Sequence, residues 1–293
     1  MKKILFPTDF SETANNAFIY ALHLAKGLDA EIFVLHTFER PVISSLHGGR
    51  PELIEDVYTN IELNEFDRFK EQVPLMREIA EEYHLEDVSM KFLFEKGILT
   101  QVIKHLVRKE NIDLIVMGTS GQTGFSKKFW GTNTINTIQS MNVPVLSIPH
   151  FAAFHKIKTI GMTTVFKDTD KPLISHILRS ADYFDGVVKV FHVIEYNGNV
   201  ERKEHEAEEK IAEWKEYFDN PRLEFIVEKH ENLKLAVANL AQREHVDMLI
   251  VVKRNLTFVD SFFYPSLSKT LAAKINIPLM IVREALIARE YTD

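Results

Sequence analysis

Apolar positions along the chain follow two periods, which together predict strands that alternate with helices. Apolar or alternating runs typical of strands occur at Ile4–Phe6, Glu31–His36, Val88–Phe94, Leu114–Met117 and Val143–Ile148. Helical spacing of apolar residues fills the stretches between them, at Ser11–Gly27, Leu53–Tyr83, Thr100–Lys109 and Thr132–Ser140. Pro74 lies inside the second of these helices, where we expect a kink or a break.

The chain contains the same pattern twice. With a shift of 156 residues, KKILFPTDFSETANNAFIYALHLAKGLDAEIFVLHTFE aligns without a gap with KTIGMTTVFKDTDKPLISHILRSADYFDGVVKVFHVIE. With a shift of 134 residues, NIDLIVMG aligns with HVDMLIVV and NVPVLSI aligns with NIPLMIV. The difference between the shifts, 22 residues, places extra length in the first half, within residues 40–64. We therefore predict two domains of one design, 1–150 and 151–293, joined near His150–His155.

Strands that alternate with helices imply right-handed crossovers and a parallel sheet covered on both faces. Five strands in each half predict an α/β fold of two Rossmann-like, doubly wound domains. Each domain would hold a five-stranded parallel sheet with helices on both faces. Ligands of such sheets bind beyond the carboxyl ends of the strands, where the strand order reverses.

Composition and charge narrow the classes of function. The net charge of −7 argues against a general nucleic-acid binder, because phosphate contacts need clustered Lys and Arg. The chain has no Cys, which excludes disulfides and Cys-based zinc sites and fits a reducing compartment. The first apolar run stops at Pro7 and Asp9, too soon for an export signal, and no stretch approaches the ~18 apolar residues of a membrane span. We therefore expect a cytoplasmic protein that binds neither nucleic acid nor membranes.

The stretch MGTSGQTGFSKKFWGTNT, residues 117–134, directly follows a predicted buried strand. Gly118 and Gly121 can take positive φ and let a ligand approach the backbone closely. Gly131 and Thr132 then open a helix, whose unpaired N–H groups and positive dipole end favour anions. From the residues alone an alternative stays open, in which the glycines only end a strand and Thr132 or Asn133 caps the helix. Neither the P-loop pattern, nor G-x-G-x-x-G, nor the G-x-S-x-G of hydrolases is present.

The spacing Gly118-x2-Gly121-x9-Gly131-Thr132 matches G-x2-G-x9-G-[ST], the ATP-binding signature of the universal stress proteins. The opening KKILFPTDFSETA resembles the first strand and turn of that family, and NVPVLSIP resembles its last strand. The resemblance covers both halves, so the chain resembles a tandem universal stress protein.

The resemblance implies a site for ATP or AMP, built from three strand ends and one helix start. Its implied contacts are Pro7, Thr8 and Asp9 near the adenine and ribose, Thr37 at the adenine through its backbone, Met117, Gly118, Ser120 and Gly121 at the ribose and phosphates, and Gly131, Thr132, Asn133 and Thr134 at the phosphates. No carboxylate cage for a metal is visible, so Mg²⁺ is expected to ride on the phosphates. Asp9 has a second candidate role, because with Glu12 it could form a capping box at the helix start.

The second half departs from the signature. Val252, Asn255 and Pro265 replace Gly118, Gly121 and Gly131, and Thr132 is loosely kept as Ser266. At the turn after the first strand, Thr163 and Val165 replace Pro7 and Asp9. We therefore expect no nucleotide to bind there in the manner of the family. His36 and His192 occupy the same place in both repeats, which favours a structural role over metal binding.

The main hypothesis is a stress-response protein whose first half binds ATP or AMP as a regulatory ligand, without catalytic residues and with little or no hydrolysis. The alternative is a nucleotide-free scaffold or protein-interaction module. An enzyme of the related adenine-nucleotide hydrolases is disfavoured, since PTDFSE after the first strand has no Gly. The protein partner is not identified by the sequence. We expect the closing strands, Val143–Ile148 and Pro278–Val282, to pair antiparallel as in the dimers of the family, which gives an intramolecular pseudo-dimer and leaves a homodimer open.

Overall fold

The computed structural model describes residues 2–40, 51–119, 131–196, 198–254 and 276–290. In the first half, the described elements are β1 (Lys2–Pro7), α1 (Glu12–Leu28), β2 (Ala30–Phe38), α2 (Pro51–Glu82), β3 (Met90–Lys96), α3 (Leu99–Lys109), β4 (Leu114–Gly118), α4 (Thr132–Ser140) and β5 (Val145–Ile148). In the second half they are β6 (Thr159–Thr163), a 3-10 turn (Asp168–Asp170), α5 (Lys171–Phe184), β7 (Val187–Glu195), α6 (Val200–Phe218), β8 (Leu223–His230), α7 (Leu233–Arg243), β9 (Met248–Lys253), β10 (Leu279–Arg283) and α8 (Glu284–Glu290).

The elements predicted in the first half are all present, and their ends lie within two residues of the prediction. Helix α2 is continuous across Pro74, so of the expected kink or break the break was wrong, whereas the kink stays a prediction. Phe69 on one side of the proline and Met76 and Ala80 on the other are buried, and this packing holds both parts of the helix on the core. None of the described helices is long and apolar enough to cross a membrane.

The extra length of the first half lies largely in a helix. Helix α2 has 32 residues, whereas its counterpart α6 has 19. Under the 134-residue shift the end of α2 at Glu82 falls two residues before the end of α6 at Phe218, so the additional turns of α2 are at its amino-terminal end, beginning at Pro51. This location agrees with the predicted insertion within residues 40–64.

The ten described strands form one continuous sheet, in the order β3-β2-β1-β4-β5-β10-β9-β6-β7-β8. Strands are parallel within each half, and both halves have the same doubly wound order. The halves join where β5 and β10 pair antiparallel, with Ser147 opposite Leu279. The buried Ser147 hydroxyl also donates a hydrogen bond of 3.0 Å to the Leu279 carbonyl. The predicted fold class and the antiparallel pairing of the closing strands are thus confirmed.

Helices cover both faces of the sheet. Alternation along β1 points Ile4 and Phe6 to the face packed against α1, α2, α5 and α6, and Leu5 to the face packed against α3, α4 and α7. Each face has a core that runs through both halves of the chain. The parallel strands are therefore apolar on both sides, as expected for a sheet covered on two faces.

The segment between β5 and β6 is anchored to helix α1. The Asn16 side chain donates to the Ala152 carbonyl at 2.9 Å, and the Tyr20 hydroxyl donates to the Ala153 carbonyl at 2.9 Å. Because the sheet is continuous across this segment, the division into domains 1–150 and 151–293 stays a prediction.

Candidate functional site

A cavity of about 380 Å³ lies at the carboxyl ends of β1, β2 and β4, next to the amino-terminal ends of α1, α3 and α4. We call it the carboxyl-edge cavity. The predicted site residues that line it are Pro7, Thr8, Asp9, Thr37, Met117, Gly118, Gly131, Thr132, Asn133 and Thr134. The two remaining predicted residues, Ser120 and Gly121, lie outside the described residues. The structure therefore brings together every predicted residue that it describes, while their contact with a ligand stays a prediction.

The turn after β1 is fixed by hydrogen bonds around Thr8. Its N–H donates to the Leu35 carbonyl at 2.8 Å, and its hydroxyl oxygen accepts from the Phe10 N–H at 2.9 Å. Phe10 takes a positive φ of 59°, and His36 donates from Nδ1 to the Thr8 carbonyl at 2.9 Å. The polar groups of Thr8 thus hold the turn in place. Thr8 would therefore contribute to a ligand site mainly by shaping the cavity wall.

The same turn recurs in the second half. The hydroxyl oxygen of Thr164 accepts from the Phe166 N–H at 2.9 Å, and His192 donates from Nδ1 to the Thr164 carbonyl at 3.1 Å. Burial lowers the pKa of His192, although the hydrogen bond to Thr164 acts in the opposite direction. The structural role predicted for His36 and His192 is therefore confirmed.

Asp9 does not cap helix α1. The residue at the N-cap is Ser11, whose hydroxyl oxygen accepts from the Ala14 N–H at 3.3 Å. Asp9 instead accepts from the Ser11 N–H through Oδ1 at 3.1 Å, within the turn that leads into the helix. The capping box of Asp9 and Glu12 was therefore a wrong expectation, because the helix begins two residues later than a cap at Asp9 requires.

Thr37 lies within strand β2, which runs to Phe38, whereas we expected it just after the strand. The Leu35 carbonyl accepts from Thr8 on the β1 side, and the Phe38 carbonyl accepts from Gly97 on the β3 side. Since backbone groups of a parallel strand alternate between its two neighbours, the N–H and C=O of Thr37 point to the β1 side. Strand β1 ends at Pro7, opposite Leu35, so these two groups extend past the strand end at the cavity.

Gly118 is required for packing. It does not take the positive φ that a glycine permits, since among the described glycines only Gly97 and Gly198 do. A Cβ atom at Gly118 would lie 2.9 Å from Thr13 Cγ2 and 3.1 Å from the Thr13 carbonyl oxygen. The glycine thus allows the first turn of α1 to lie against the end of β4, directly beside the cavity. We predicted the position, but for a different reason.

Helix α4 begins without a side-chain cap. Its N-cap residue is Gly131, with φ −71° and ψ 153°, and a glycine has no side chain to bond to the first N–H groups of the helix. The alternative in which Thr132 or Asn133 caps the helix is therefore wrong. Thr132 and Asn133 are exposed at the cavity, whereas the buried Thr134 hydroxyl donates to the Gly118 carbonyl at 2.9 Å. The helix start thus presents backbone donors, and Thr134 ties it to the end of β4.

Three lining residues were not predicted: Ala14, His36 and Leu99. His36 had a detectable signal, because its place is kept in both repeats, but we assigned it only to structure. Ala14 and Leu99 lie in the first turns of α1 and α3. Small and apolar residues at these positions have no sequence signal that separates a cavity wall from ordinary core.

An ion-pair cluster occupies the corresponding place in the second half. Under the two shifts, Arg254 corresponds to Ser120 and Asp170 to the cavity residue Ala14. Arg254 pairs with the fully buried Asp170 and lies 2.9 Å from Glu284, and Thr164 donates to Asp170 at 2.7 Å. We call these four residues the Arg254 cluster.

Glu284 of this cluster and the nearby Val252 both support the difference between the halves. Burial raises the pKa of Glu284, but ion pairing with Lys167 and Arg254 outweighs burial and holds this pKa below its ordinary value. Val252, in place of Gly118, is 3% exposed, so its side chain fills the space that a glycine leaves. The replacements Asn255, Pro265 and Ser266 lie outside the described residues.

Two halves of the same doubly wound design, joined edge to edge, define a duplicated Rossmann-like α/β protein with a ligand-sized cavity in its first half. The sequence model of the Universal stress protein family matches residues 1–149 and 156–283. The chain therefore belongs to the universal stress protein family and contains its domain twice.

Individual relatives agree with this assignment. Universal stress protein MJ0577 of Methanocaldococcus jannaschii is 31% identical over 157 residues, which cover 50% of this chain and 94% of that protein. Universal stress protein MJ0531 of the same organism is 28% identical over 148 residues, covering 50% of this chain and 81% of that protein. The crystal structure of a universal stress protein from Archaeoglobus fulgidus matches 96% of both chains, with a TM-score of 0.70 and 17% identity, and this similarity supports the fold alone.

Proposed function

We propose that the first half of the chain binds one adenine nucleotide, ATP or AMP, in the carboxyl-edge cavity. The observation that carries this proposal is the uncapped start of α4. The N–H groups of Thr132, Asn133 and Thr134 have no acceptor within their own helix, and all three residues line the cavity. Such a helix start carries roughly +0.5 of a charge, which suits phosphate oxygens.

The opposite side of the cavity supports an adenosine. The N–H and C=O of Thr37 offer one donor and one acceptor, as the edge of an adenine requires. Leu99, Met117 and Ala14 supply apolar wall for the base. Asp9 also lines the cavity, and in this proposal its carboxylate contacts the ribose. The cavity volume lies within the range of ~300–1,000 Å³ that is usual for small-molecule sites.

In this proposal the nucleotide is a regulatory ligand that favours one conformation for a protein partner, with little or no hydrolysis. Among the lining residues that the structure describes, Asp9 and His36 are the acid–base side chains. Both lie at the adenosine end, in the turn after β1 and near the end of β2, and His36 already donates to Thr8. Neither is positioned to activate a water at the phosphates. Mg²⁺ would be held by the phosphates, and we assign the protein to the cytoplasm.

The second half serves as a scaffold in this proposal. At the positions that correspond to Ser120 and Ala14 of the first half, the second half holds Arg254 and Asp170, which pair with each other, and Glu284 also pairs with Arg254. One nucleotide per chain is therefore expected. The first half would then change its ligand state while the second half stays fixed to it through the β5–β10 pair.

A substitution at Thr132 tests the role of the helix start. Proline is favoured at the first position of a helix and lacks an N–H, so Thr132→Pro removes one donor while the helix is kept. Gly131 has the extended backbone, φ −71° and ψ 153°, that a residue before proline requires. Thr132→Ala is the matched control, because it removes the hydroxyl and keeps the N–H.

Calorimetric titration with ATP should show affinity about 10-fold weaker for Thr132→Pro, since a hydrogen bond to a charged group contributes roughly 1.5 kcal/mol. Thr132→Ala should remain within about threefold of the unsubstituted protein. The proposal is wrong if the unsubstituted protein shows no binding up to ~1 mM, or if both variants bind as tightly as it does.

A further inference from the structure

A second cavity, of about 550 Å³, lies between the two halves of the chain. Its walls come from α1 and the starts of β1 and β4 in the first half, and from α5, β6, β9 and β10 in the second. It touches Lys2 at the start of β1, whereas the carboxyl-edge cavity touches Pro7 at its end. At ~3.3 Å per residue the two points are roughly 17 Å apart. We call this separate space the inter-half cavity.

The walls of the inter-half cavity are mostly aliphatic. They include the side chains of Leu24, Leu28, Leu173, Ile177, Met248 and Met280. Leu173 and Ile177 are only 2% and 4% exposed, so the cavity reaches into the core and is more than a surface groove. Protein cores are close-packed, and side chains that border an empty space lose dispersion contacts. An aliphatic occupant would restore these contacts.

Four polar residues interrupt this apolar wall: Lys2, Asp113, His176 and Ser180. Two of them are used within the fold, because the Asp113 carboxylate accepts from the Lys3 N–H at 2.8 Å and the Ser180 hydroxyl donates to the His176 carbonyl at 3.0 Å. Burial, followed by the charges of Lys2 and Arg179, lowers the pKa of His176 to about 4. The imidazole is therefore neutral near pH 7, and of the lining residues described, Lys2 supplies the positive charge.

We propose that the inter-half cavity binds one medium-chain fatty acid. The aliphatic chain would lie against α1, α5 and the underside of the sheet, and the carboxylate would contact the exposed Lys2 ammonium beside His176. A carboxylate suits this end, since an ion-paired hydrogen bond from an ammonium is stronger than one between neutral groups. A nucleotide does not suit the cavity, because its aliphatic walls offer few donors for a base and sugar.

Calorimetric titration of the full chain with dodecanoate tests the proposal, with decanoate and dodecanol as comparisons. One site per chain is expected. Each buried methylene is worth about fourfold in affinity, so decanoate should bind roughly 15-fold more weakly than dodecanoate. Lys2→Gln should weaken dodecanoate and leave dodecanol unchanged, because the alcohol has no charge to pair with Lys2.

Ser180→Phe fills the cavity from helix α5, and it should abolish dodecanoate binding. Its matched control is Ser140→Phe, since Ser140 is an exposed helical serine whose hydroxyl also donates to the carbonyl four residues earlier. Thermal unfolding shows whether both variants keep the fold. If Ser180→Phe does not fold, Lys2→Glu at an exposed position replaces it and should weaken dodecanoate at least 10-fold.

The proposal is overturned if dodecanoate does not bind up to ~1 mM, or if it binds the folded Ser180→Phe variant as tightly as the unsubstituted protein. Equal affinities for decanoate and dodecanoate would equally contradict a chain buried in this cavity. Co-sedimentation with phosphatidylcholine vesicles, without binding of free dodecanoate, would point to a membrane surface and overturn it as well.

Discussion

The Arg254 cluster gives the sharpest prediction about stability. Asp170 has no exposed surface, and Arg254 is 14% exposed. Arg254→Met would leave the Asp170 carboxylate buried with the Thr164 hydroxyl as its remaining partner among the described residues. Breaking a buried ion pair by removing one partner costs about 3–5 kcal/mol. Because Glu284, the second partner of Arg254, is partly exposed, we expect Arg254→Met to lower the free energy of unfolding by about 3 kcal/mol.

Asp170→Ala restores the residue type that the first half has at Ala14, and it should also destabilise the protein, because among the described residues Arg254 then keeps Glu284 as its ion-pair partner. The double variant Arg254→Met, Asp170→Ala removes both charges and should lose much less than the sum of the single losses. A coupling of roughly 2 kcal/mol or more is expected for residues in one such network. Urea unfolding followed by circular dichroism and tryptophan fluorescence measures all four proteins.

An exposed ion pair in the same half provides the control. Arg202 and Glu206 lie 2.7 Å apart on α6 but are 77% and 55% exposed. Arg202→Met should cost less than ~0.5 kcal/mol, because solvent screens such pairs. The reasoning is refuted if Arg254→Met costs no more than this control, or if the two single losses in the Arg254 cluster add without coupling.

Two further predictions concern the first half. Gly118→Ala should lower the free energy of unfolding by about 1–2 kcal/mol, because its Cβ would lie 2.9 Å from Thr13 Cγ2, and an unchanged urea midpoint would contradict the close packing. Burial, and to a smaller extent Asp247, raises the pKa of Tyr20 from 10.0 to about 12. The folded protein thus holds this proton more tightly than the unfolded chain, so stability present below pH ~10 should fall by roughly 2–3 kcal/mol as the pH rises to ~12. Tyr20→Phe should lack this part of the alkaline decline in urea unfolding, and equal declines in both proteins would count against it.

Much of the fold follows from local pattern and duplication. Helix α4 has the predicted ends, Thr132 and Ser140, because an apolar stripe and a preceding glycine define both limits. The β5–β10 pairing was predicted because the two closing strands are copies of each other and the family resemblance implied that such strands pair antiparallel. The lining of the carboxyl-edge cavity was predictable because the motif residues follow parallel strands, whose carboxyl ends meet at one edge of the sheet.

The features that the sequence analysis predicted wrongly or missed depend on local geometry and on packing, which a motif does not specify. The N-cap of α1 is Ser11, not Asp9, because the positive φ of Phe10 extends the turn beyond Asp9. The Arg254–Asp170 pair joins residues 84 positions apart, and neither residue belongs to a motif in the sequence, so no spacing signals their contact. The inter-half cavity depends on how α1 and α5 lie beneath a shared sheet, which periodicity does not specify.

The central claim is that one half of this chain keeps a nucleotide site and the other half has replaced it with its own charges. The most direct test is the stoichiometry of ATP binding to the full chain, measured by calorimetry with an independently determined protein concentration. One ATP per chain is predicted, with the Arg254→Met, Asp170→Ala variant still binding one. Two nucleotides per chain in the unsubstituted protein, or none up to ~1 mM, would contradict the account.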